Sequence, residues 1–160
     1  MLSIVDASSG DALLQARTLF EEYAASLGID LSFQDFAHEL ATLPGRYAPP
    51  AGRLLLANWN GQAAGCVALR PLQDGIGEMK RFYVRPDYRG LGIGRALAER
   101  IIREASDAGY TRMRLDSLGS MESALQLYRQ LGFREVPPYR DNPVEGAVFL
   151  ELDLAGQTTG

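Results

Sequence analysis

One stretch of sequence decides the expected fold: Glu78-Met-Lys-Arg-Phe-Tyr-Val-Arg-Pro-Asp-Tyr-Arg-Gly-Leu-Gly-Ile-Gly-Arg-Ala-Leu97. Residues 79–84 have the character of a strand, and Pro86 cannot continue a central strand. A glycine-rich turn, Arg89 to Gly94, follows this break. Apolar residues four positions apart then predict a helix, because that spacing places them on one helical face; they are Ile93, Leu97, Ile101 and Ala105. The stretch therefore predicts a strand, a glycine turn and a helix in succession.

This arrangement is typical of a site that binds an anion. Glycines let the backbone approach a ligand closely. The first N–H groups of a helix have no intrahelical partners, and the helix dipole favours negative charge there. Arg89 and Arg95 flank the turn and can add charge-assisted contacts. We therefore expect a phosphate or pyrophosphate ligand.

Three classes of ligand use such turns, and the spacing of the glycines separates them. A Walker-type ATP or GTP site needs a Gly-Lys pair, which the sequence lacks. A dinucleotide site needs Gly-x-Gly-x-x-Gly and an acid about twenty residues later. The spacing here is Gly-x-Gly-x-Gly, but Asp116 lies near the place of such an acid. A nicotinamide dinucleotide therefore stays open at this point.

The third class is acyl-CoA, and here a resemblance to a known family enters. Arg89-Gly-Leu-Gly-Ile-Gly94 resembles the acetyl-CoA pyrophosphate motif of the GNAT N-acetyltransferases, Gln/Arg-x-x-Gly-x-Gly/Ala. Phe82–Tyr88 is similar to the family strand that leads into this turn. Ala124–Phe133 is similar to the later family signature Ala-x-x-Leu-Tyr-x-x-x-Gly-Phe. The resemblance implies the α/β GNAT fold, with a mixed central sheet of about six to seven strands flanked by about four helices.

The resemblance also implies a cosubstrate and the residues that hold it. Acetyl-CoA would donate the acyl group, with no metal ion. Backbone groups of the strand would hold the pantetheine, and the turn with the following arginine would hold the pyrophosphate. The implied cofactor-binding residues are Phe82, Val84, Arg89, Gly90, Leu91, Gly92, Ile93, Gly94 and Arg95.

Two residues are candidates for acid–base catalysis. An acceptor amine has a pKa of about 10 and must lose a proton, while the departing thiolate must gain one. Tyr128 matches the tyrosine of the family's Leu-Tyr pair and is the implied acid, although it also fits a core position on an apolar helical face. Glu78 occupies the position of the general base in some members, and it also fits an exposed acid at a strand end. Lys80 and Met121 are departures from the family, which often has an acid and an asparagine there.

Composition limits the other classes of function. With 160 residues we expect one domain, residues 1–154, and a flexible tail, residues 155–160. A net charge of −4 without basic runs argues against nucleic acid as a partner. No apolar stretch predicts a membrane span or a signal peptide, so we expect a cytoplasmic protein. One cysteine and one histidine exclude an internal disulfide and a histidine metal cluster.

The sequence thus predicts an N-acetyltransferase that moves an acetyl group from acetyl-CoA to a primary amine by direct transfer in a ternary complex. The acceptor would be a small molecule or resemble an amino acid. Arg46, Tyr139 and Arg140, in two proline-rich loops, could hold an acceptor carboxylate, and Asp116 and Ser117 could orient the amine. The alternatives are an acyl-CoA-binding regulatory module without turnover and a small nicotinamide-binding protein. The family resemblance also allows a homodimer formed through edge strands.

Overall fold

The computed structural model describes residues 1–28 and 35–156. Its strands are β1 Leu2–Asp6, β2 Arg53–Trp59, β3 Gln62–Gln73, β4 Ile76–Val84, β5 Arg112–Leu118, β6 Arg134–Val136 and β7 Ala147–Asp153. Within the described ranges the α-helices are α1 Gly10–Leu27, α2 Phe36–Thr42, α3 Ile93–Asp107 and α4 Glu122–Gln130. The seven strands form one mixed sheet in the order β1-β2-β3-β4-β5-β7-β6. This confirms the predicted fold class.

The first four strands form an antiparallel meander, as local turn signals predict. Asn60 and Gly61 connect β2 to β3 with φ angles of 51° and 83°. Two consecutive residues with positive φ are what a type I′ hairpin turn requires. An Asn-Gly pair in sequence predicts such a hairpin, and the antiparallel pairing of β2 and β3 confirms it here.

The centre of the sheet opens between β4 and β5. These strands are parallel, because the helical crossover through α3 returns the chain in the same direction, but they pair only at Ile76, Gly77 and Glu78 with their three partners on β5. Farther along β4, Arg81 has a φ of 59°, and the register with β3 shifts opposite it. Such a bulge bends a strand and increases its local twist. Beyond Glu78 the two strands are no longer neighbours in the sheet, and a cleft lies between them.

The strand β4 begins earlier than the sequence predicted. The glycines at 75 and 77 suggest a turn, but Gly77 lies within the strand and pairs with both neighbours. A Cβ atom at Gly77 would come within 2.8 Å of Leu69 Cδ1 and 3.1 Å of the Tyr110 ring, so this glycine serves close packing. As a result Glu78 lies inside the strand and has no exposed surface. The alternative of an exposed acid at a strand end is wrong.

Helices cover both faces of the sheet and give two hydrophobic clusters. The larger cluster joins α3 and α4 to one face; among its members are Met79, Leu97, Ile101, Met113, Leu115, Leu125 and Tyr128. The smaller cluster joins α1 to the other face; among its members are Ala16, Leu19, Phe20, Tyr47, Leu54, Leu56 and Cys66. The cleft between β4 and β5 opens beside both clusters.

Two predictions fall wholly or partly outside the described residues. Ser32 and Asp35 have the spacing of a capping box for the helix that follows, and Ser32 lies outside these residues. Residues 157–160 of the predicted tail also lie outside them. Residues 154–156 form a short 3₁₀ turn directly after β7. Within the described part of the chain, no helix is both long enough and apolar enough to cross a membrane.

Candidate active site

A cleft of about 570 Å³ lies where β4 and β5 separate. Its walls come from the end of α1, from β4 and β5, from the glycine turn, from the start of α4, and from the segment after β6. Most of the predicted site residues therefore lie around one cavity.

The glycine turn forms one end of the cleft. Gly90 and Gly92 have φ angles of 83° and 82°, in the left-handed region that favours glycine. A Cβ atom at either position would meet no other atom within 4 Å. These glycines are therefore required by the backbone conformation, and they border open space. The first backbone hydrogen bond of α3 runs from the Ala96 N–H to the Gly92 carbonyl, so earlier N–H groups of the helix are left for other partners.

Gly94 has a different role from the two glycines before it. A Cβ atom there would come within 3.3 Å of Phe82 Cζ and 3.7 Å of Val84 Cγ2. This glycine lets α3 pack closely on β4. The three glycines of the motif therefore combine two turn conformations with one close helix–strand contact.

Seven of the nine predicted cofactor residues line the cleft, namely Phe82, Val84, Arg89, Gly90, Gly92, Ile93 and Gly94. Leu91 is 45% exposed and lies outside the lining. Arg95 is also outside it, and its guanidinium bonds the Gln130 side chain and pairs with Glu99 at 3.8 Å. Arg89 donates from Nε to the Val84 carbonyl at 2.9 Å, which holds it beside the end of β4.

Tyr128 is both a packed residue and a cleft residue. Its ring lies 5.9 Å from that of Phe82 and 5.7 Å from that of Phe133, while the side chain also lines the cavity. Burial raises the pKa of Tyr128 above its ordinary value, so the phenol keeps its proton at neutral pH. Both interpretations of the sequence therefore describe part of its environment. Its role as the acid stays a prediction.

Glu78 is surrounded by donors. Its carboxylate accepts hydrogen bonds from Arg70 Nε at 2.9 Å and from the Tyr139 hydroxyl at 2.8 Å, and it pairs with Arg140 Nη2 at 2.6 Å. The residue is fully buried and does not line the cleft. Its role as the base stays a prediction. Glu78 could take a proton from a substrate only through an intervening group.

The sequence reasoning missed the part that Lys80 plays in the cleft. Lys80 lines the cavity and is 5% exposed, and its Nζ lies 3.7 Å from Asp116 Oδ1. Burial lowers the pKa of Lys80 to about 8, against the opposing effect of the nearby Asp116 and Glu78. Lys80 is the one lysine in the sequence, and it lies two residues after Glu78 on a strand. Because side chains two positions apart lie on the same face of a strand, this spacing from Glu78 was the signal in the sequence that pointed to Lys80.

Asp116 and Ser117, which the sequence suggests for orienting the acceptor amine, both line the cleft. Asp116 Oδ2 accepts a hydrogen bond from Asn142 Nδ2 at 3.0 Å. The Ser117 hydroxyl lies 3.5 Å from the sulfur of Met121. Met121, which departs from the family pattern, thus contacts β5 from the start of α4.

Two ion pairs attach helices to the cleft. Arg81, at the bulge of β4, binds both carboxylate oxygens of Glu39 on α2 at 2.8 Å. Arg85, just after β4, binds both oxygens of Glu22 on α1 at 2.7 and 2.9 Å. Paired guanidinium–carboxylate contacts of this kind fix orientation as well as distance. They hold α1 and α2 against the strand that lines the cleft.

The loop residues expected to hold an acceptor carboxylate have partners within the protein. Arg46 bonds the Pro71 carbonyl, while Tyr139 and Arg140 contact Glu78. Tyr47, next to Arg46 in the same loop, is in the core, with its ring 6.0 Å from that of Phe20. Among the residues described, no group of three or more His, Cys, Asp or Glu side chains could hold a metal ion.

The sequence was also compared with known proteins and structures. The sequence model of the Acetyltransferase (GNAT) family matches residues 15–133. This chain belongs to the GNAT acetyltransferase family. It is 40% identical over 141 residues to an uncharacterized N-acetyltransferase of Schizosaccharomyces pombe, covering 87% of this chain and 86% of the relative. It is 37% identical over 150 residues to an IAA acetyltransferase of Azospirillum brasilense, covering 90% and 92%.

Solved structures share the same fold. An acetyltransferase of Streptococcus agalactiae superposes with a TM-score of 0.78 at 22% identity, over 95% of this chain and 98% of that one.

A more distant sequence relative, the N-acetylaspartate synthetase of Danio rerio, is 32% identical over 135 residues, or 82% of this chain and 48% of the relative. The GNAT chain described here is thus an acyltransferase enzyme, and its family uses acetyl-CoA or another acyl-CoA as cosubstrate.

Proposed function

We propose that this enzyme transfers an acetyl group from acetyl-CoA to the primary amine of a small-molecule or amino-acid-like acceptor, directly within a ternary complex. One observation supports this most strongly. A single cleft is lined by the glycine turn, by Tyr128 and by the Lys80–Asp116 pair. A site for an anion, a proton donor and a pair of ionisable groups are therefore close enough to act on two substrates at once.

The residues present fit acetyl-CoA. Gly90 and Gly92 leave space at the turn, and the N-terminus of α3 favours a pyrophosphate there. The pairing of β4 with β5 ends at Glu78, and Phe82 and Val84 farther along β4 line the cleft, so an extended pantetheine could lie along the backbone of these two residues. Acetyl-CoA supplies the activated acetyl group. The chain supplies orientation and proton transfer.

Tyr128 is the proposed acid. Because its phenol stays protonated, it can donate to the sulfur that leaves. On the acceptor side, Asp116 and the neutral form of Lys80 are two neighbouring groups on the cleft wall that can take a proton from the amine. Glu78 was the base predicted from sequence, and it would act only through these or other intervening groups.

The acceptor class rests on the relatives and on the size of the cleft. The Danio rerio relative is named for an acetylated amino acid, which supports an amino-acid-like acceptor. A cavity of about 570 Å³ suits a small molecule beside the reactive end of the cosubstrate. A cytoplasmic location and a homodimer belong to the same proposal, and light scattering tests the second.

Calorimetry with acetyl-CoA tests the proposal first, with NADH and ATP as controls. We expect acetyl-CoA to bind and the two nucleotides to bind far more weakly. A panel of amines and amino acids is then screened for CoA release by the same preparation. Acetyl-CoA binding without release by any amine would favour the regulatory module, and NADH binding alone would favour the dinucleotide protein.

A further inference from the structure

The buried carboxylate of Glu78 connects the sheet to a loop. Two of its three partners, Tyr139 and Arg140, lie in the loop of residues 137–143, and the third, Arg70, lies on β3. We propose that Glu78 is a positioning residue, which fastens the 137–143 loop and thereby holds Asn142 against Asp116 in the cleft. The inference rests on the proposed function, because its effect on activity is an effect on acetyl transfer.

The same loop carries part of the cleft wall. Asn142 lines the cavity, and its Nδ2 donates to Asp116 Oδ2 at 3.0 Å. The Asn142 Oδ1 accepts from the Val144 N–H at 2.9 Å, so the side chain is held at both ends. Asp116 in turn lies 3.7 Å from Lys80. A continuous path of contacts therefore runs from Glu78, through the loop, to the ionisable pair in the cleft.

The loop depends on these side-chain contacts for its position. It lies between the end of β6 at Val136 and the start of β7 at Ala147, and it has no place in the strand pairing of the sheet. The Tyr139 ring packs on Phe149 at 5.1 Å and lies under the Arg114 guanidinium at 5.5 Å. The hydroxyl of the same tyrosine bonds Glu78. Tyr139 and Arg140 therefore both link the loop to the buried acid, and Tyr139 also packs the loop against β7.

The geometry of Glu78 favours positioning over proton transfer. A general base must come within about 2.6–3.2 Å of the proton it removes, or reach it through one water. Glu78 has no exposed surface, and its carboxylate already faces two guanidinium groups and a hydroxyl. These three donors occupy most of the roughly four acceptor sites of a carboxylate, and Glu78 does not line the cleft in which a substrate amine would bind.

Three variants test the inference together: Glu78→Gln, Tyr139→Phe and Asn142→Ala. Tyr139→Phe and Asn142→Ala leave every ion pair of Glu78 in place, so they stay informative if Glu78→Gln fails to fold. The matched control is Tyr110→Phe, which removes a hydroxyl donor to the Ala51 carbonyl outside the cleft. Each is measured for kcat/KM with acceptor, for acetyl-CoA affinity, for its pH profile, and for amide hydrogen exchange across residues 139–143.

We expect all three variants to lower kcat/KM for the acceptor by up to about 100-fold, since a small displacement of reacting groups is costly. Acetyl-CoA affinity and the rising limb of the pH profile should stay near those of the wild type. Exchange at residues 139–143 should be faster in Glu78→Gln and Tyr139→Phe, and unchanged in Tyr110→Phe.

The opposite pattern overturns the inference. If Glu78→Gln removes the rising limb while Tyr139→Phe and Asn142→Ala keep full activity, Glu78 is the base. Unchanged exchange in both Glu78→Gln and Tyr139→Phe would likewise show that the loop does not depend on this contact. A wild-type protein that binds no acetyl-CoA would refute the proposed function instead, and hydrogen exchange alone would then decide whether Glu78 positions the loop.

Discussion

The two sides of the cleft are constructed in different ways. The glycine turn is made by the backbone of one continuous segment, where Gly90 and Gly92 hold left-handed conformations beside open space. The acceptor side is made by side chains from separate segments, in which Lys80 on β4, Asp116 on β5 and Asn142 on a loop meet. The turn should therefore be sensitive to any added Cβ atom, whereas the acceptor side should be sensitive to the loss of single polar groups.

The largest effect is expected at the turn. Gly92→Val should abolish acetyl-CoA binding in a protein that stays folded, because a branched side chain would project into the space beside the turn and disfavour its φ of 82°. Calorimetry should show affinity weaker by at least about 100-fold, or about 2.7 kcal/mol. The control is Gly109→Val, an exposed glycine with a φ of 96° and no atom within 4 Å of its added Cβ. Full binding by Gly92→Val would place the pyrophosphate site elsewhere.

On the acceptor side, loss of a buried charge should lower the stability of the protein. Glu78→Gln leaves Arg70 and Arg140 without their carboxylate, so we expect the free energy of unfolding to fall by about 3 kcal/mol. Urea unfolding followed by circular dichroism measures this. Glu99→Gln is the matched control, because its exposed pair with Arg95 should contribute less than about 1 kcal/mol. Equal stability of the two variants would contradict the importance of the buried cluster.

Tyr128 lines the cleft between these two sides, and Tyr128→Phe distinguishes cosubstrate binding from the chemical step. If the phenol is the acid, kcat should fall by about 100-fold, or about 2.7 kcal/mol, while acetyl-CoA affinity stays the same. The aromatic contacts with Phe82 and Phe133 survive the substitution, so stability should change little. Stopped-flow detection of CoA release measures the rate, and an unchanged kcat would return Tyr128 to a purely packing role.

The smallest effect, counted per pH unit, is the pH dependence of stability contributed by Lys80. Its pKa of about 8 in the folded protein lies below the value of about 10.4 for an unperturbed lysine. Between these values the unfolded chain binds more protons, so this group makes the free energy of unfolding rise with pH from about 8 to about 10.4. The slope from one proton is at most about 1.4 kcal/mol per pH unit.

Because Lys80 is the chain's one lysine, its titration can be followed directly. NMR of protein labelled with ¹³C-lysine should show one side-chain signal with a midpoint near pH 8. Lys80→Met should lose the corresponding rise in stability measured by urea unfolding. A midpoint near pH 10 would mean that the amine is better solvated than its burial beside Asp116 indicates.

Local sequence patterns predicted most of the fold, because each of these patterns depends only on residues that are neighbours in the sequence. The Asn60-Gly61 hairpin, the glycine turn and the four-residue spacing of α3 all appear as expected. The start of β4 was missed because Gly77 looks like a turn residue in sequence. Only the approach of Leu69 and Tyr110 shows that this position must be a glycine inside a strand. Contacts between distant residues cannot be inferred from such local patterns.

The sequence by itself determined the fold class, the family and the turn at Arg89–Gly94, because backbone conformation and helix periodicity are written in consecutive residues. The tertiary structure decided the acceptor side of the site. It alone placed Lys80 beside Asp116, enclosed Glu78 among Arg70, Tyr139 and Arg140, and brought a loop from far along the chain to the cleft. The physical reason is that charge, burial and access belong to neighbours in space, and those neighbours exist only after the sheet has formed and opened between β4 and β5.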